Sequence, residues 1–303
     1  MASKLLVVGA GLGGVSAALW GRSLGLDVVM VEAQADAGGQ LRQVHFRPFN
    51  FAGAAEVEGP VIADRLHAQL AAAGVDVRYR TLAVAFEPDG PAVRCATGER
   101  IEAAAVLIAT GVRRRRLEIP GERELEGRGL SYSATQDRAR FAGQAVVVVG
   151  GGDAAFENAL LLAEVGCPVT LVARGELRAR RDFRERVAQN AGIEVLDHTR
   201  VLSIEGDRGV RAVRLEGPRG NSTLEVAGVV VKIGVVPNSE WCTGTLDRDP
   251  EGYVRVDAEL RTSHRRAWAA GDVTHPPVLA MALAVGHGAL AVSAIRAALE
   301  RAV

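Results

Sequence analysis

The sequence predicts an α/β protein in which two parallel sheets are each covered by helices. Residues 5–8 and 145–149 are short apolar runs that both lead into a glycine-rich turn and then a helical stretch. Each unit continues into a second apolar run, at 27–31 and 168–173. Continuous apolar runs are typical of strands buried on both faces, and strands alternating with helices favour a parallel sheet. A chain of 303 residues can form about two domains, each with its own core.

Composition excludes several classes of protein. Lys plus Arg equals Asp plus Glu at 36 each, which gives no case for nucleic acid or an anionic membrane as partner. The three cysteines, Cys95, Cys167 and Cys242, are far apart, which predicts a reducing cytoplasm, no disulfide framework and no metal site. The start of the chain reads as a strand rather than a signal peptide. No apolar run approaches about 18 residues without charge or glycine, so no membrane span is expected.

The first glycine-rich turn predicts a dinucleotide site. Gly9, Gly11 and Gly14 form G-x-G-x-x-G between a strand and a helix, and the second strand ends in Glu32. Glycines allow the backbone to approach a diphosphate, and the helix N-terminus supplies free N–H groups. An acid at this distance accepts hydrogen bonds from a ribose diol. A glycine-rich turn in an unrelated α/β protein is the alternative interpretation.

The second turn repeats the pattern about 140 residues later. Gly150, Gly152 and Ala155 form G-x-G-x-x-A, which predicts a second dinucleotide. Its second strand ends in Arg174 where the first ended in Glu32, and Arg178 follows. Because arginine prefers a 2′-phosphate, this favours NADPH over NADH. The alternative is that these arginines only cover the surface.

Outside the turns, the patterns predict further elements. Helices are expected at 64–73, 156–165 and 278–301, a strand at 75–79, and antiparallel strands at 82–86, 92–95 and 100–108. The four arginines of 113–116 are interpreted as a solvated connector, with a phosphate or partner contact as the alternative.

Together these motifs resemble those of the low-molecular-weight thioredoxin reductase-like flavoproteins, within the FAD- and NAD(P)-dependent pyridine nucleotide-disulfide oxidoreductases. The resemblance spans almost the whole chain, and its motifs lie at 9–14 with Glu32, 38–41, 109–111, 119–121, 129–137, 150–155 with Glu157, 234–238 and 270–272. It implies two Rossmann-like, three-layer ββα domains, with the NAD(P)H domain (113–239) inserted into an FAD domain (1–112 and 240–303). It also implies a homodimer and rotation between the domains.

The resemblance assigns binding residues to both cofactors. Gly11 and Gly14 are expected under the FAD diphosphate, Glu32 at the adenosine ribose, and Asp272 at the ribityl chain. The full set expected at FAD is Gly9, Gly11, Leu12, Gly13, Gly14, Glu32, Gly39, Gln40, Leu41, Asn50, Ala109, Thr110, Gly111, Gly271, Asp272, Leu279 and Ala280. The set expected at NAD(P)H is Gly150, Gly152, Asp153, Ala154, Ala155, Arg174 and Arg178.

The chain departs from the family where disulfide chemistry would occur. The reductases carry Cys-Ala-Thr-Cys-Asp, and this chain has Ser133 and Gln136 at the cysteine positions, followed by the retained Asp137. A serine hydroxyl forms no disulfide, so the electron relay to thioredoxin is predicted to be missing and no catalytic residue is assigned. The Arg-Gln pair of the family aligns with Leu279 and Ala280. The His-Arg-Arg phosphate motif of the family is replaced here by Ala173, Arg174 and Gly175, with one residue deleted.

These features predict an FAD-dependent NAD(P)H oxidoreductase that passes electrons from the flavin directly to an external acceptor. Ferredoxin or flavodoxin, a quinone, oxygen and a small metabolite all remain open as acceptors. One alternative is a flavin-binding protein without pyridine-nucleotide turnover, acting as a sensor or electron carrier. The other is a disulfide reductase that uses a partner's cysteines. By alignment with the family, the resemblance places Arg42, His45, Arg47, His275 and His287 near the expected flavin, and structural roles are favoured over catalytic ones for each.

Overall fold

The computed structural model describes residues 4–44, 47–48, 50–52, 54 and 57–301. The chain divides into two compact units: unit 1 contains 1–113 and 236–303, and unit 2 contains 114–235. Unit 2 is therefore inserted into unit 1. The first boundary falls one residue after the expected position and the second falls four residues before it.

Eighteen strands and six α-helices are formed by the described residues. The strands are β1 (Lys4–Val8), β2 (Asp27–Val31), β3 (Asp76–Arg78), β4 (Ala83–Glu87), β5 (Ala92–Cys95), β6 (Arg100–Glu102), β7 (Ala105–Ile108), β8 (Val112–Arg114), β9 (Leu130–Ser131), β10 (Val146–Val149), β11 (Val169–Val172), β12 (Ile193–Leu196), β13 (Arg200–Gly206), β14 (Val210–Gly217), β15 (Gly220–Glu225), β16 (Gly228–Val231), β17 (Val235–Pro237) and β18 (Ala267–Ala269). The helices are α1 (Leu12–Ser23), α2 (Gly59–Ala72), α3 (Ala134–Phe141), α4 (Asp153–Ala163), α5 (Arg181–Ala188) and α6 (Met281–Glu300).

Unit 1 is built on a five-stranded parallel sheet with the order β18-β7-β1-β2-β3. Its central strand β1 is buried on both faces, so its side chains enter two separate cores. One core, under α1 and α6, includes Leu5 and Trp268. The other, which includes Leu6 and Phe86, lies against the antiparallel sheet of β4, β5 and β6. Because the strands are parallel, their carboxyl ends share one edge, where the first glycine turn lies.

Unit 2 repeats this plan. Its parallel sheet has the order β12-β11-β10-β16-β9, with β10 at the centre. The helices α3, α4 and α5 supply the core residues on one face, and the antiparallel sheet of β13, β14 and β15 packs on the other. This three-layer arrangement in both units confirms the predicted α/β class with two Rossmann-like domains.

Several elements differ from their predicted bounds. The helix expected at 64–73 begins at Gly59, because Pro60 occupies a first-turn position where its missing N–H and fixed φ are favourable. The stretch 100–108 is not a single antiparallel strand. It contains β6 and then β7, which pairs in parallel with β1.

Among the described residues, α6 is long and apolar enough to cross a membrane by length and composition alone. It packs on α1 through Ala291, Val292 and Ile295, which are fully buried in the unit 1 core. Gly288 is the other buried residue of α6, and Leu290 on the same helix is exposed.

Candidate functional site

The first glycine turn joins β1 to α1 and leaves open space above the start of the helix. Gly9 adopts φ +103°, and a Cβ there would lie 2.5 Å from the Ala109 carbonyl oxygen. A Cβ at Gly14 would overlap the carbonyl oxygen of Gly9, so this position needs glycine for packing. A Cβ at Gly11, by contrast, would meet nothing within 4 Å. Gly11 therefore borders space in which a phosphate could approach the N–H groups of α1.

Glu32 is fixed beside this turn. It follows β2, its side chain is buried, and its two carboxylate oxygens each accept a backbone hydrogen bond. Oε2 accepts from the N–H of Ala10 at 2.7 Å, and Oε1 accepts from the N–H of Gln34 at 2.8 Å. Each oxygen keeps a second lone pair with which it could accept a ribose hydroxyl.

A polar cluster lies at the same edge of the sheet, after β18. Gln40 donates from Nε2 to Asp272 Oδ2 at 3.0 Å, although the two residues are 232 positions apart. Burial raises the pKa of the Asp272 carboxyl, an effect that Gln40 and His287 partly offset. The N–H of Gly271 donates to His287 Nδ1 at 3.3 Å, and burial lowers the pKa of this imidazole. Together these interactions favour a neutral His287 with its proton on Nε2.

The other residues expected at the flavin differ in their burial and in their hydrogen bonds. Thr110 donates from Oγ1 to the Asn238 carbonyl at 2.7 Å, and the Asn238 amide donates back to the Thr110 carbonyl at 2.9 Å. Leu41 is buried with Ile62 and Ala63. Asn50 and Leu279 are exposed, and Ala280 precedes α6 as its N-cap.

The basic residues expected near the flavin form local contacts. Arg42 pairs with Asp64 at 2.5 Å, and His275 contacts Asp249 through Nδ1 at 3.1 Å while stacking on Tyr253. These contacts fit the structural roles favoured for Arg42 and His275. His45 lies outside the described residues.

The second glycine turn has the same geometry, between β10 and α4. Gly150 adopts φ +148°, and a Cβ there would overlap the Lys232 carbonyl oxygen. Gly152, like Gly11, borders open space. Ala155 replaces the third glycine and is fully buried. Asp153 opens α4, and its carboxylate accepts from the Arg180 N–H and pairs with the Arg180 guanidinium, both at 2.7 Å.

Two arginines beside this turn have guanidinium groups with no bonded partner among the described residues. The N–H of Arg178 donates to the Gly151 carbonyl at 2.7 Å, which holds the loop after β11 against the turn. The side chains of Arg174 and Arg178 are exposed, and within the described part of the chain neither forms a hydrogen bond or ion pair. Arg174 also lines a surface pocket of about 330 Å³ together with His198, Arg200, Glu216, Gly217 and Pro218. The sequence did not single out His198.

The segment aligned with the family's dithiol forms the start of α3. Ser133 is the N-cap residue and is half-buried, whereas Gln136 is exposed. Asp137 accepts a hydrogen bond from Ser131 Oγ at 2.6 Å and lies 3.4 Å from Arg140. These contacts agree with a structural role for Asp137.

The three cysteines occupy separate sites. Each thiol is free and buried, and burial raises the pKa of all three, that of Cys242 to about 12. Because the thiolate is the reactive form, none of these thiols is activated for disulfide exchange.

The arginine run has more specific contacts than a solvated connector. Arg113 donates to Asn238 Oδ1 at 2.9 Å and pairs with Glu240 at 2.6 Å. Arg116 pairs with Glu126 at 2.8 Å and, like Arg114, places its guanidinium carbon 5.6 Å from the Tyr132 ring centre.

Sequence reasoning also missed Lys232, which follows β16 and is half-buried. Burial, reinforced by the nearby positive charge of Arg114, lowers the pKa of its ammonium to about 8. The available signal was a lysine directly after a fully apolar strand, a position next to the second turn.

Comparison with known proteins places these features in a family. The family described as pyridine nucleotide-disulphide oxidoreductase matches residues 3–298. The chain is 35% identical over 298 residues to the thioredoxin reductase of Treponema pallidum, covering 96% of this chain and 95% of that protein. It is 34% identical to an alkyl hydroperoxide reductase subunit of Pseudomonas putida, covering 96% of this chain but spanning only 57% of that longer protein.

Solved structures of thioredoxin reductases have the same fold as this chain. The thioredoxin reductase of Lactococcus lactis superposes with a TM-score of 0.80 at 26% identity, covering 99% of both chains. That of T. acidophilum gives 0.76 at 27% identity, covering 97% of both chains. The chain belongs to the pyridine nucleotide-disulphide oxidoreductase family. It is a flavoprotein oxidoreductase of the thioredoxin reductase type, as the sequence motifs predicted.

Proposed function

We propose that the protein is an FAD-dependent NAD(P)H oxidoreductase that passes electrons from the flavin directly to an external acceptor. Unit 1 would bind FAD and unit 2 the pyridine nucleotide. The observation that carries the proposal is the absence of any Cys-x-x-Cys pair from the sequence, with all three cysteines buried in separate places. Without a dithiol, this chain alone cannot relay electrons to thioredoxin through disulfide exchange.

The residues of unit 1 fit FAD. The open space at Gly11 and the uncapped N–H groups of α1 would receive the diphosphate, and Glu32 would accept the adenosine ribose hydroxyls. Asp272 would accept a hydroxyl of the ribityl chain, with Gln40 holding its carboxylate in place. When bound, FAD supplies the hydride-accepting and electron-transferring chemistry, whereas the protein binds and orients it.

Unit 2 supports a preference for NADPH over NADH. Gly150, Gly152 and Ala155 would form the diphosphate turn, with Asp153 and Ala154 in the first turn of α4. Arg174 and Arg178 have exposed guanidinium groups free to pair with a 2′-phosphate. A homodimer in the cytoplasm completes the proposal. The acceptor could be ferredoxin or flavodoxin, a quinone, oxygen or a small metabolite.

The first experiment is an anaerobic titration of the purified yellow protein with NADPH and, separately, with NADH. Stoichiometric bleaching by one of them supports the proposal and identifies the donor. If neither bleaches the flavin while dithionite does, the protein would instead be a flavin-binding protein without pyridine-nucleotide turnover.

A second experiment tests the missing relay. Thioredoxin and NADPH are added and thiol release is followed against a no-enzyme control. We expect no release above the control, and clear turnover would contradict the proposal. A small disulfide substrate in parallel tests whether partner cysteines are used instead.

The nucleotide preference is tested with Arg174→Ala. We expect KM for NADPH to rise about tenfold or more and KM for NADH to change little, because only NADPH carries the 2′-phosphate. Arg184→Ala, on the exposed part of α5, is the control. Equal effects on both nucleotides would mean that Arg174 does not contact the 2′-phosphate.

A further inference from the structure

Lysine is rare in this chain, and one of its lysines lies beside the second turn. Among the 36 basic residues only Lys4 and Lys232 are lysines, and all the others are arginines. Arginine stays protonated at every accessible pH, whereas a lysine can lose its proton when it is desolvated. Apart from Lys4 and the six histidines, Lys232 is therefore the side chain that can lose a positive charge by titration, because the remaining basic residues are arginines.

The backbone holds Lys232 directly against the turn. Its N–H donates to the Val149 carbonyl at 2.7 Å, and its own carbonyl oxygen occupies the space that a Cβ on Gly150 would need. In the sheet, β16 lies between β10, which leads into the glycine turn, and β9, which leads to Ser133. Val230 packs in the core under α4, and alternation along the strand places the Lys232 side chain towards the same helix.

The ammonium of Lys232 is incompletely compensated. In the described part of the chain it forms no hydrogen bond or ion pair. Desolvation and Arg114 disfavour its charged form, and Glu157 on α4 is the charged group that favours it. A half-buried cation with no bonded partner, next to another cation, is expected where an anion binds.

We propose that Lys232 binds the diphosphate of the pyridine nucleotide, and that a proton from solvent is taken up onto its amine when the nucleotide binds. This rests on the proposed function of unit 2. Helix N–H groups supply partial charge at such a turn, and Lys232 adds a full charge, which a bound anion would maintain to higher pH than in the free protein.

The sign of the pH dependence follows from the charges. Below about pH 8 the free amine is already protonated, so binding takes up little additional proton. Above it the free amine is mostly neutral, and binding must first protonate it. Nucleotide affinity should therefore fall as the pH rises above about 8.

The test is titration calorimetry of the oxidised FAD-loaded protein with NADP⁺ at pH 8, in two buffers of different protonation enthalpy. The difference in heat gives the number of protons taken up, and we expect up to about half a proton per nucleotide. NAD⁺ should give the same uptake, because it carries the same diphosphate. Uptake with NADP⁺ alone would assign the effect to the 2′-phosphate and overturn the proposal.

Three variants distinguish the effect of a positive charge at position 232 from the effect of protonating that residue on binding. Lys232→Met should raise Kd about tenfold and abolish proton uptake. Lys232→Arg should keep most of the affinity but lose the uptake, since its charge is permanent. Lys4→Met, at the start of β1, should match the wild type in both affinity and proton uptake.

If Lys232→Met binds nucleotide with wild-type affinity and proton uptake, this proposal fails while the proposed function stands. If the wild type binds no nucleotide, both fail.

A direct readout uses the scarcity of lysine. Reductive ¹³C-methylation labels only Lys4, Lys232 and the N-terminus, and Lys4→Arg identifies the two side-chain signals. We expect the Lys232 signal to titrate near pH 8 in the free protein and at higher pH with NADP⁺ bound. A midpoint that NADP⁺ leaves unchanged would overturn the proposal.

Discussion

The two glycine turns share a backbone but differ in where their charges are used. In both, a glycine with positive φ packs on a neighbouring carbonyl, of Ala109 in unit 1 and of Lys232 in unit 2, and a later glycine borders open space. At the first turn the acid Glu32 is buried and bonded to two backbone N–H groups. At the second turn Arg174 is exposed and unbonded within the described residues.

The two turns therefore differ in how far their charged residues are held in place before a ligand binds. The first turn has its charged residue fixed before any ligand arrives, so binding there orders few additional groups. The second turn keeps a free arginine at the end of β11 and an incompletely compensated lysine after β16, both of which a ligand would order. We therefore expect unit 1 to hold its nucleotide permanently and unit 2 to exchange its nucleotide.

The largest expected effect separates packing from ligand space within the first turn. Gly14→Ala places a Cβ on the Gly9 carbonyl oxygen and should destabilise unit 1 by more than about 3 kcal/mol. Gly11→Ala, whose Cβ meets nothing, should change stability by less than about 1 kcal/mol but weaken FAD binding. Denaturant unfolding and FAD retention on a desalting column measure the two. Equal stability of both variants would contradict the packing argument.

Glu32→Gln tests whether the first acid is fixed by the backbone. The amide keeps one acceptor oxygen but turns its NH₂ towards an N–H donor, of Ala10 or of Gln34. A loss of about 1–3 kcal/mol in the free energy of unfolding is expected. The control is Asp36→Asn, which removes an exposed carboxylate from the same loop with the same change in charge. A loss for Asp36→Asn as large as that for Glu32→Gln would refute a special role for Glu32.

At the second turn, Lys232→Met should increase stability. The folded-state pKa near 8 lies below the ordinary 10.5, so the charged amine destabilises the fold most below pH 8. The gain should be on the order of 1–3 kcal/mol at pH 7 and disappear as pH rises towards 10.5. Urea unfolding at several pH values measures it. A gain that does not depend on pH would show that packing, not charge, is responsible.

The smallest effect is expected at the start of α4. Arg180 pairs with Asp153 at 2.7 Å, but both side chains are largely in solvent. Arg180→Ala should therefore cost no more than about 1 kcal/mol, and less at high salt. Arg181→Ala, next in the chain and paired with Glu185, provides the comparison. A loss above about 2 kcal/mol, by the same unfolding assay, would mean that this pair holds the second turn together.

Sequence reasoning located the turns because their signals are local. A β-branched run, closely spaced glycines and a helical stretch lie within about 20 residues, and both turns form as predicted. The order of the strands was harder. Residues 105–108 have the short, apolar pattern of many strands, and only the fold decides that β7 pairs in parallel with β1 and not with β6.

Contacts between distant segments could not be read from the sequence. Gln40 and Asp272 were both expected at the flavin through family resemblance, but their hydrogen bond joins segments 232 residues apart. The importance of Lys232 depends on the order of the strands in the sheet, which places it beside Gly150. Burial and neighbouring charges, which set its pKa, are properties of the folded chain.

The contact between α1 and α6 has a consequence for the order of folding. Ser16 donates to the Val285 carbonyl, 269 positions away, and a Cβ on Gly288 would overlap the Gly13 carbonyl oxygen. During synthesis, α1 therefore cannot complete its packing until α6 has been made. Unit 2 is contiguous in the chain, so it can fold first. Until α6 arrives, the apolar face of α1 is exposed. A ribosome-bound chain ending before Met281 should therefore need chaperone protection that a chain containing α6 does not.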